Sequence, residues 1–148
     1  MITPLPTVRS RKLFVNLAVR DLQRSVEFFT ALGFAFDPRF TDASATCMIV
    51  SDEAFVMLLV EPRFKDFTKK ALCDTRTHVE GLFCISAGSR AEVEAIVQTA
   101  IAAGGAPAMD PIDHGFMFGW SFLDVDGHHW EVMHMDMSAV PPGGPPAA

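Results

Sequence analysis

The sequence predicts an α+β chain built from two tandem modules, each of the order β-α-β-β-β. A strand pattern at 13–19 is followed by a helical pattern that ends at Gly33, and the same order returns from residue 80. The chain then closes on two strand patterns joined by an Asp-Gly turn, within 116–134. A pattern that repeats after roughly half the chain length indicates an internal duplication.

Length and composition are those of a single globular domain. The chain has 148 residues, of which 49% are hydrophobic and 20% are charged. The net charge of -6 argues against nucleic-acid binding, and no apolar run approaches the length of a membrane span. Three widely spaced cysteines (Cys47, Cys73 and Cys84) fit reduced, structural thiols. Since no signal-peptide pattern is present either, we expect a cytoplasmic protein.

The first module is expected over residues 12–61, after an N-terminal arm at 1–11. Its patterns are one strand, one helix and three strands, at 13–19, 22–32, 34–40, 45–50 and 55–61. Alternation along the first strand places Phe14 and Asn16 on the face opposite to Val15.

Residues 62–79 break this pattern, because they open at a proline and carry several lysines and arginines among scattered apolar residues. We expect a solvated linker with at most one helical turn; a lid whose lysines approach an anionic substrate is the alternative.

The second module is expected over 80–136. It contains a strand at 80–86 and a helix that begins with the capping box Ser89-x-x-Glu92. The closing hairpin follows. The tail, residues 137–148, is rich in proline and glycine and is expected to be disordered.

The last strand of the hairpin contains a carboxylate among apolar residues. Alternation over 128–134 places His129, Glu131 and Met133 on one face and Trp130 on the other, where we expect it to pack against helices. A buried carboxylate is costly unless it is paired. Glu131 therefore needs a protein partner, a ligand or water.

Two motifs identify a family resemblance. They are V-x-D-x-x-x-S-x-x-F-F-x-x-L-G-F, which starts at Val19, and F-x-D-x-D-G-H-x-W-E-V, which starts at Phe122. In this order they resemble the vicinal oxygen chelate superfamily, which includes glyoxalase, extradiol dioxygenases, and bleomycin and fosfomycin resistance proteins. The resemblance covers 12–136 as a single domain. It implies eight strands that form an open cup around a cavity, with helices outside, and a homodimer.

The resemblance also implies positions for metal ligands, on the first and last strands of each module. Glu80 and Glu131 fall at two of these positions. Apolar residues hold the other two: Phe14, and Met57 or Leu58. Transition-metal sites normally use three or more protein ligands. A divalent metal is therefore possible but not the favoured expectation, and extradiol dioxygenase activity is disfavoured.

Without a metal, Glu80 and Glu131 are candidate catalytic residues. If both face the cup, they could act as base and acid in moving a proton next to a carbonyl. The alternative is that one of them pairs with a lysine or arginine, or accepts a hydrogen bond from a backbone amide. The candidate ligand-binding residues are Phe14, Asn16, Met57, Leu58, Phe116, His129 and Met133. For His129 a solvated position at the cavity rim is favoured over metal ligation.

Three functions follow from these observations. The first is a glyoxalase-related enzyme, lyase or isomerase, that acts on a small carbonyl compound with Glu131 as base and an incomplete metal site. The second is a metal-free protein that sequesters a small molecule, as bleomycin-resistance relatives do. The third is an association module with a filled cup. The buried carboxylate argues against the third, so a small-molecule ligand is expected, with no nucleic-acid or membrane partner.

Overall fold

The computed structural model describes residues 2–5, 9–140 and 142–143. The strands and helices are β1 (Leu13–Val19), α1 (Leu22–Ala31), β2 (Ala35–Asp37), β3 (Ala45–Ile49), β4 (Ala54–Val60), α2 (Glu61–Lys65), β5 (Leu82–Ser86), α3 (Arg90–Ala102), β6 (Ala106–Pro107), β7 (Ile112–Asp113), β8 (Met117–Leu123) and β9 (His129–Met135). Single turns of 3-10 helix lie at Pro38–Phe40 and Met137–Ala139. In the described part of the chain, no helix is long and apolar enough to cross a membrane.

The first of two compact units contains the described residues up to 22 and residues 34–72. Its sheet has the order β1-β4-β3-β2, with β1 parallel to β4 and the other pairs antiparallel. Leu17 and Val19 point to the buried face of β1, whereas Phe14 and Asn16 lie on the other face, as the alternation predicts.

The second unit contains residues 23–33 and the described residues from 73 onward. Its sheet has the order β5-β9-β8-β6, with β5 parallel to β9, and β7 also pairs with β8. In both sheets the first and last long strands are parallel neighbours. The predicted α+β fold with two duplicated modules is therefore confirmed.

Helix α1 follows the first strand in sequence but belongs to the second unit. Its Phe28 ring lies 6.0 Å from Phe122, and its Phe29 ring lies 5.3 Å from Trp130. Trp130 is only 1% exposed. The prediction that Trp130 packs against a helix is confirmed.

Several elements differ from the prediction. Strand β5 begins at Leu82 rather than at residue 80. The two-residue strands β6 and β7 are too short to leave a periodic pattern. Met137–Ala139, predicted as part of a disordered tail, forms a 3-10 turn because the Asp136 carboxylate accepts the Ser138 amide at 3.1 Å. Positions 1, 6–8, 141 and 144–148, within the predicted arm and tail, lie outside the described residues.

Candidate functional site

The turn between β8 and β9 is organised by one buried carboxylate. Asp124 is 5% exposed and accepts three hydrogen bonds, from the backbone amides of Asp126 and His128 and from the Trp130 indole nitrogen, at 2.9, 3.0 and 3.0 Å. Gly127 closes the turn with φ +90°, and a Cβ there would lie 2.8 Å from the Thr75 carbonyl oxygen. This network fixes where β9 begins.

The same turn also holds two distant segments of the second unit. The Ser25 hydroxyl of α1 donates to the Asp126 carboxylate at 3.1 Å, and the Thr75 hydroxyl donates to the Asp126 carbonyl. Glu80 approaches the buried His128, with 2.8 Å between its Oε1 atom and the histidine Nδ1 atom.

The position of Glu80 corrects a prediction. Because β5 begins two residues later than expected, Glu80 lies before the strand, and it is not among the residues that line the cavity described below. Its observed partner is His128, not the lysine, arginine or backbone amide of the alternative. The structure therefore does not bring Glu80 and Glu131 together as an acid–base pair.

A cavity of about 350 Å³ lies on one face of the second sheet. Its floor is formed by β5, β9 and β8, and the register places Cys84, Glu131 and Ser121 side by side across these three strands. Glu131 is thus flanked by a thiol on one neighbouring strand and by a hydroxyl on the other.

Glu131 is partly buried in a cavity whose walls are mostly apolar. Among the residues that the structure describes, none forms a hydrogen bond or an ion pair with its carboxylate. A carboxylate in apolar surroundings is costly without a partner. Because no described residue bonds to this carboxylate, both of its oxygens are free to accept a hydrogen bond or a proton from a bound molecule.

One wall of the cavity is formed by the segment between β6 and β8. Met109, Asp110 and Ile112 of this segment line the cavity. The Met109 amide donates to the Ser121 hydroxyl oxygen at 3.0 Å, which attaches the segment to the cavity floor. In β7, the Asp113 carboxylate accepts the Gly115 amide and contacts the Arg90 guanidinium of α3 at 2.6 Å. The bond from Gly115, followed by the one from Arg90, lowers the pKa of Asp113.

Cys84 and Ser121 were missed by the sequence analysis. The cysteines were all expected to be structural, but Cys84 is exposed and lines the cavity. Partial burial of the thiol, followed by the nearby Glu131 charge, raises its pKa. The thiol is therefore mostly protonated at neutral pH, which argues against Cys84 as a nucleophile. Alternation alone could not find these residues, because their position beside Glu131 depends on strand pairing.

The structure brings together only some of the predicted ligand-binding residues. His129, Glu131 and Met133 line the cavity, as their shared strand face predicted. Phe116 does not; it is 8% exposed and its ring stacks on His114, while the next residue, Met117, faces the cavity instead.

The other predicted ligand-binding residues belong to the first unit. Phe14, Asn16 and Met57 share one face of its sheet, where Asn16 and Met57 are register partners and Phe14 stacks on Phe55 at 5.0 Å. Leu58 is on the opposite face and is 0% exposed, so it belongs to the core and is not available to a ligand. Between Met57 and Leu58, the register therefore selects Met57 as the residue next to Asn16.

The donor set does not fit the divalent metal that the resemblance implies. His129, Glu131, Cys84 and Asp110 all line the cavity. Nevertheless, in the ranges that the structure describes, no three histidine, cysteine, aspartate or glutamate side chains form a group that could hold a metal ion. A stable site for zinc or iron needs at least three such ligands.

Comparisons with known proteins agree with the predicted resemblance. Residues 11–51 match a family model described as bleomycin resistance protein-like N-terminal. A hypothetical protein from S. aureus is 25% identical, with a TM-score of 0.72, and the match covers 83% of this chain and 92% of that one. No match was found among curated proteins.

Two further solved structures show the same fold at lower identity. A glyoxalase-related enzyme from Fulvimarina pelagi is 17% identical with a TM-score of 0.73, over 92% of this chain and 96% of that one. A lactoylglutathione lyase from Agrobacterium tumefaciens is 16% identical with a TM-score of 0.61, over 88% of this chain and 95% of that one.

Proposed function

We propose that this chain, which belongs to the glyoxalase/bleomycin resistance/dioxygenase (vicinal oxygen chelate) superfamily, binds a small, mostly apolar molecule in the cavity of its second unit. Glu131 accepts a hydrogen bond from the ligand, and no metal takes part. The observation that carries this proposal is the Glu131 carboxylate, which is open to the cavity and makes no bond with any residue in the described part of the chain.

The cavity supports this chemistry in size and in charge. A volume of about 350 Å³ lies within the range of small-molecule sites, and such sites combine apolar walls with a few polar groups. Glu131 and Asp110 line the cavity, whereas none of its lining residues is lysine or arginine. A neutral or cationic ligand is therefore favoured over an anionic one, because an anion would meet like charge in a partly desolvated site.

The test compares three ligands that share a phenyl ring and differ in charge: benzylamine, benzyl alcohol and sodium benzoate. We expect the amine and the alcohol to raise the melting temperature and to give saturable calorimetric binding, and benzoate to do neither. Glu131→Gln should weaken amine binding by about 10- to 100-fold, because a hydrogen bond to a charged group is lost.

Two further variants serve as controls. Glu94→Gln removes an exposed carboxylate of α3 outside the cavity and should bind as the wild type does. Gly119 lines the cavity, and a Cβ there would make only an ordinary 3.7 Å contact with the Val132 carbonyl oxygen. A leucine side chain can therefore be accommodated by the backbone and would occupy the cavity, so Gly119→Leu should abolish binding. If no compound binds the wild type, or if Glu131→Gln binds benzylamine equally well, the proposal is wrong.

A second candidate function is proton transfer next to a carbonyl by Glu131 without a metal. The observation that favours it is the same unpaired carboxylate, since Glu131 could take a C–H proton while the electron pair moves to the carbonyl oxygen as an enolate. Deuterium exchange at the CH₂ group of phenylacetone, followed by NMR, tests this. We expect exchange above the buffer rate, reduced about 100-fold in Glu131→Gln; exchange at the buffer rate would exclude the activity on this substrate type.

A further inference from the structure

Ser121 is a buried polar residue of the cavity whose hydrogen-bonding capacity is only partly used. It is 3% exposed, and its hydroxyl oxygen accepts the Met109 amide at 3.0 Å. A serine hydroxyl can accept two hydrogen bonds and donate one. Within the described residues, no acceptor takes the hydroxyl hydrogen of Ser121. One donor is thus available inside the cavity wall.

This donor lies next to the free acceptor of the site. Ser121 on β8 and Glu131 on β9 are direct register partners, and both line the cavity. Directly opposed residues of antiparallel strands have Cβ atoms about 4.5–5.5 Å apart and point to the same face. The Met109 amide occupies one side of the Ser121 oxygen, so the hydroxyl hydrogen is directed away from the Met109 segment.

We infer that Ser121 and Glu131 together recognise the edge of an amide, namely a primary carboxamide, a lactam or an imide. Ser121 donates to the amide carbonyl oxygen, and Glu131 accepts the N–H that lies on the same side of the group. This inference rests on the proposed binding function and names the chemical class of its ligand.

Other polar groups satisfy only one of the two residues. An ammonium group donates to Glu131 but cannot accept from Ser121, and a carboxylate accepts from Ser121 but is repelled by Glu131. A site with two buried polar groups discriminates against a ligand that leaves one of them unpaired. An amide with an N–H on the same side as its carbonyl oxygen pairs both, and the apolar walls hold the rest of the molecule.

The test is calorimetric binding of benzamide and N,N-dimethylbenzamide, which lacks the N–H, with benzylamine as the reference ligand. Benzamide should bind the wild type about 10-fold or more tightly than the dimethyl compound. Ser121→Ala should weaken the affinity for benzamide about 5- to 10-fold and change the affinity for benzylamine by less than about 2-fold. Ser121→Thr, which keeps the hydroxyl, should restore benzamide binding.

A matched control is Ser86→Ala, which removes an exposed hydroxyl from β5 outside the cavity lining and should change neither affinity. Equal affinities for the two amides, or equal losses for benzamide and benzylamine in Ser121→Ala, would overturn the amide assignment. If benzylamine still binds through Glu131 in that case, the proposed function stands. If no compound binds the wild type, the proposed function itself fails.

Discussion

Trp130→Ala is expected to lower the free energy of unfolding by about 4 kcal/mol, because large-to-small changes of buried aromatic residues cost about 3–5 kcal/mol. Trp130 is 1% exposed, and its ring lies 5.3 Å from Phe29, 5.5 Å from Phe83 and 6.4 Å from Phe122. Its removal therefore leaves a cavity where α1, β5 and β8 meet around one ring. Urea unfolding followed by circular dichroism measures the loss.

The chain offers a matched control in its second tryptophan. Trp120 lies on the neighbouring strand β8 and is only partly buried, so Trp120→Ala should cost clearly less than Trp130→Ala. The unfolding free energy of Trp130→Phe should lie between those of the wild type and Trp130→Ala, because it keeps an aromatic ring but loses the indole N–H that donates to Asp124. Equal costs for the two alanine variants would show that the rings around Trp130 do not form the main core of this unit.

Asp124→Ala is expected to lower the free energy of unfolding by about 3 kcal/mol, although the side chain is small. Its carboxylate accepts the amides of Asp126 and His128 and the indole N–H of Trp130, and all three donors lose their acceptor in a buried turn. A buried donor left unsatisfied costs about 1–3 kcal/mol. Asp124→Asn keeps one acceptor oxygen and should cost less. Urea unfolding of both variants measures the difference, and an alanine variant as stable as the asparagine variant would contradict this account.

The same residue predicts a pH dependence. Burial raises the pKa of the Asp124 carboxyl above its ordinary value of 3.8, against the opposing effects of His128, Trp130 and the turn amides. The folded protein therefore holds this proton more tightly than the unfolded chain does. Stability from this group is present below pH 3.8 and is lost as the pH rises through the raised folded pKa.

The difference in unfolding free energy between wild type and Asp124→Asn isolates this effect, because the other carboxyls titrate equally in both proteins. The advantage of the wild type should be largest in acid and should shrink as the pH rises above 3.8. Urea titrations at a series of pH values measure it. An advantage that grows with pH would mean that the three donors outweigh burial and lower the pKa instead.

Local patterns predicted much of the second unit. The alternation in 128–134 placed His129, Glu131 and Met133 on the cavity face and Trp130 on the helix face. The Asp-Gly step predicted a tight turn, which forms at Gly127 with φ +90°. The capping box predicted the start of α3, where the Ser89 hydroxyl accepts the Glu92 amide at 3.1 Å. These features depend on residues close together in the chain.

The misplaced residues were those whose positions depend on the alignment of separate segments. Glu80 was expected on the first strand of the second module, but β5 begins at Leu82 and leaves Glu80 outside the strand. Helix α1 was expected with its own module, whereas Phe28 and Phe29 pack on Phe122 and Trp130 of the second unit.

The sequence by itself determined the fold, the two-fold repeat and the strand face that carries Glu131, because periodicity, turn residues and capping act within a few residues of the chain. Only the tertiary structure decided that Glu131 lies between Cys84 and Ser121, and that Glu80 contacts His128 instead. The physical reason is that the register between strands is set by packing and by turn geometry across the whole sheet, and a shift of one residue would exchange every neighbour.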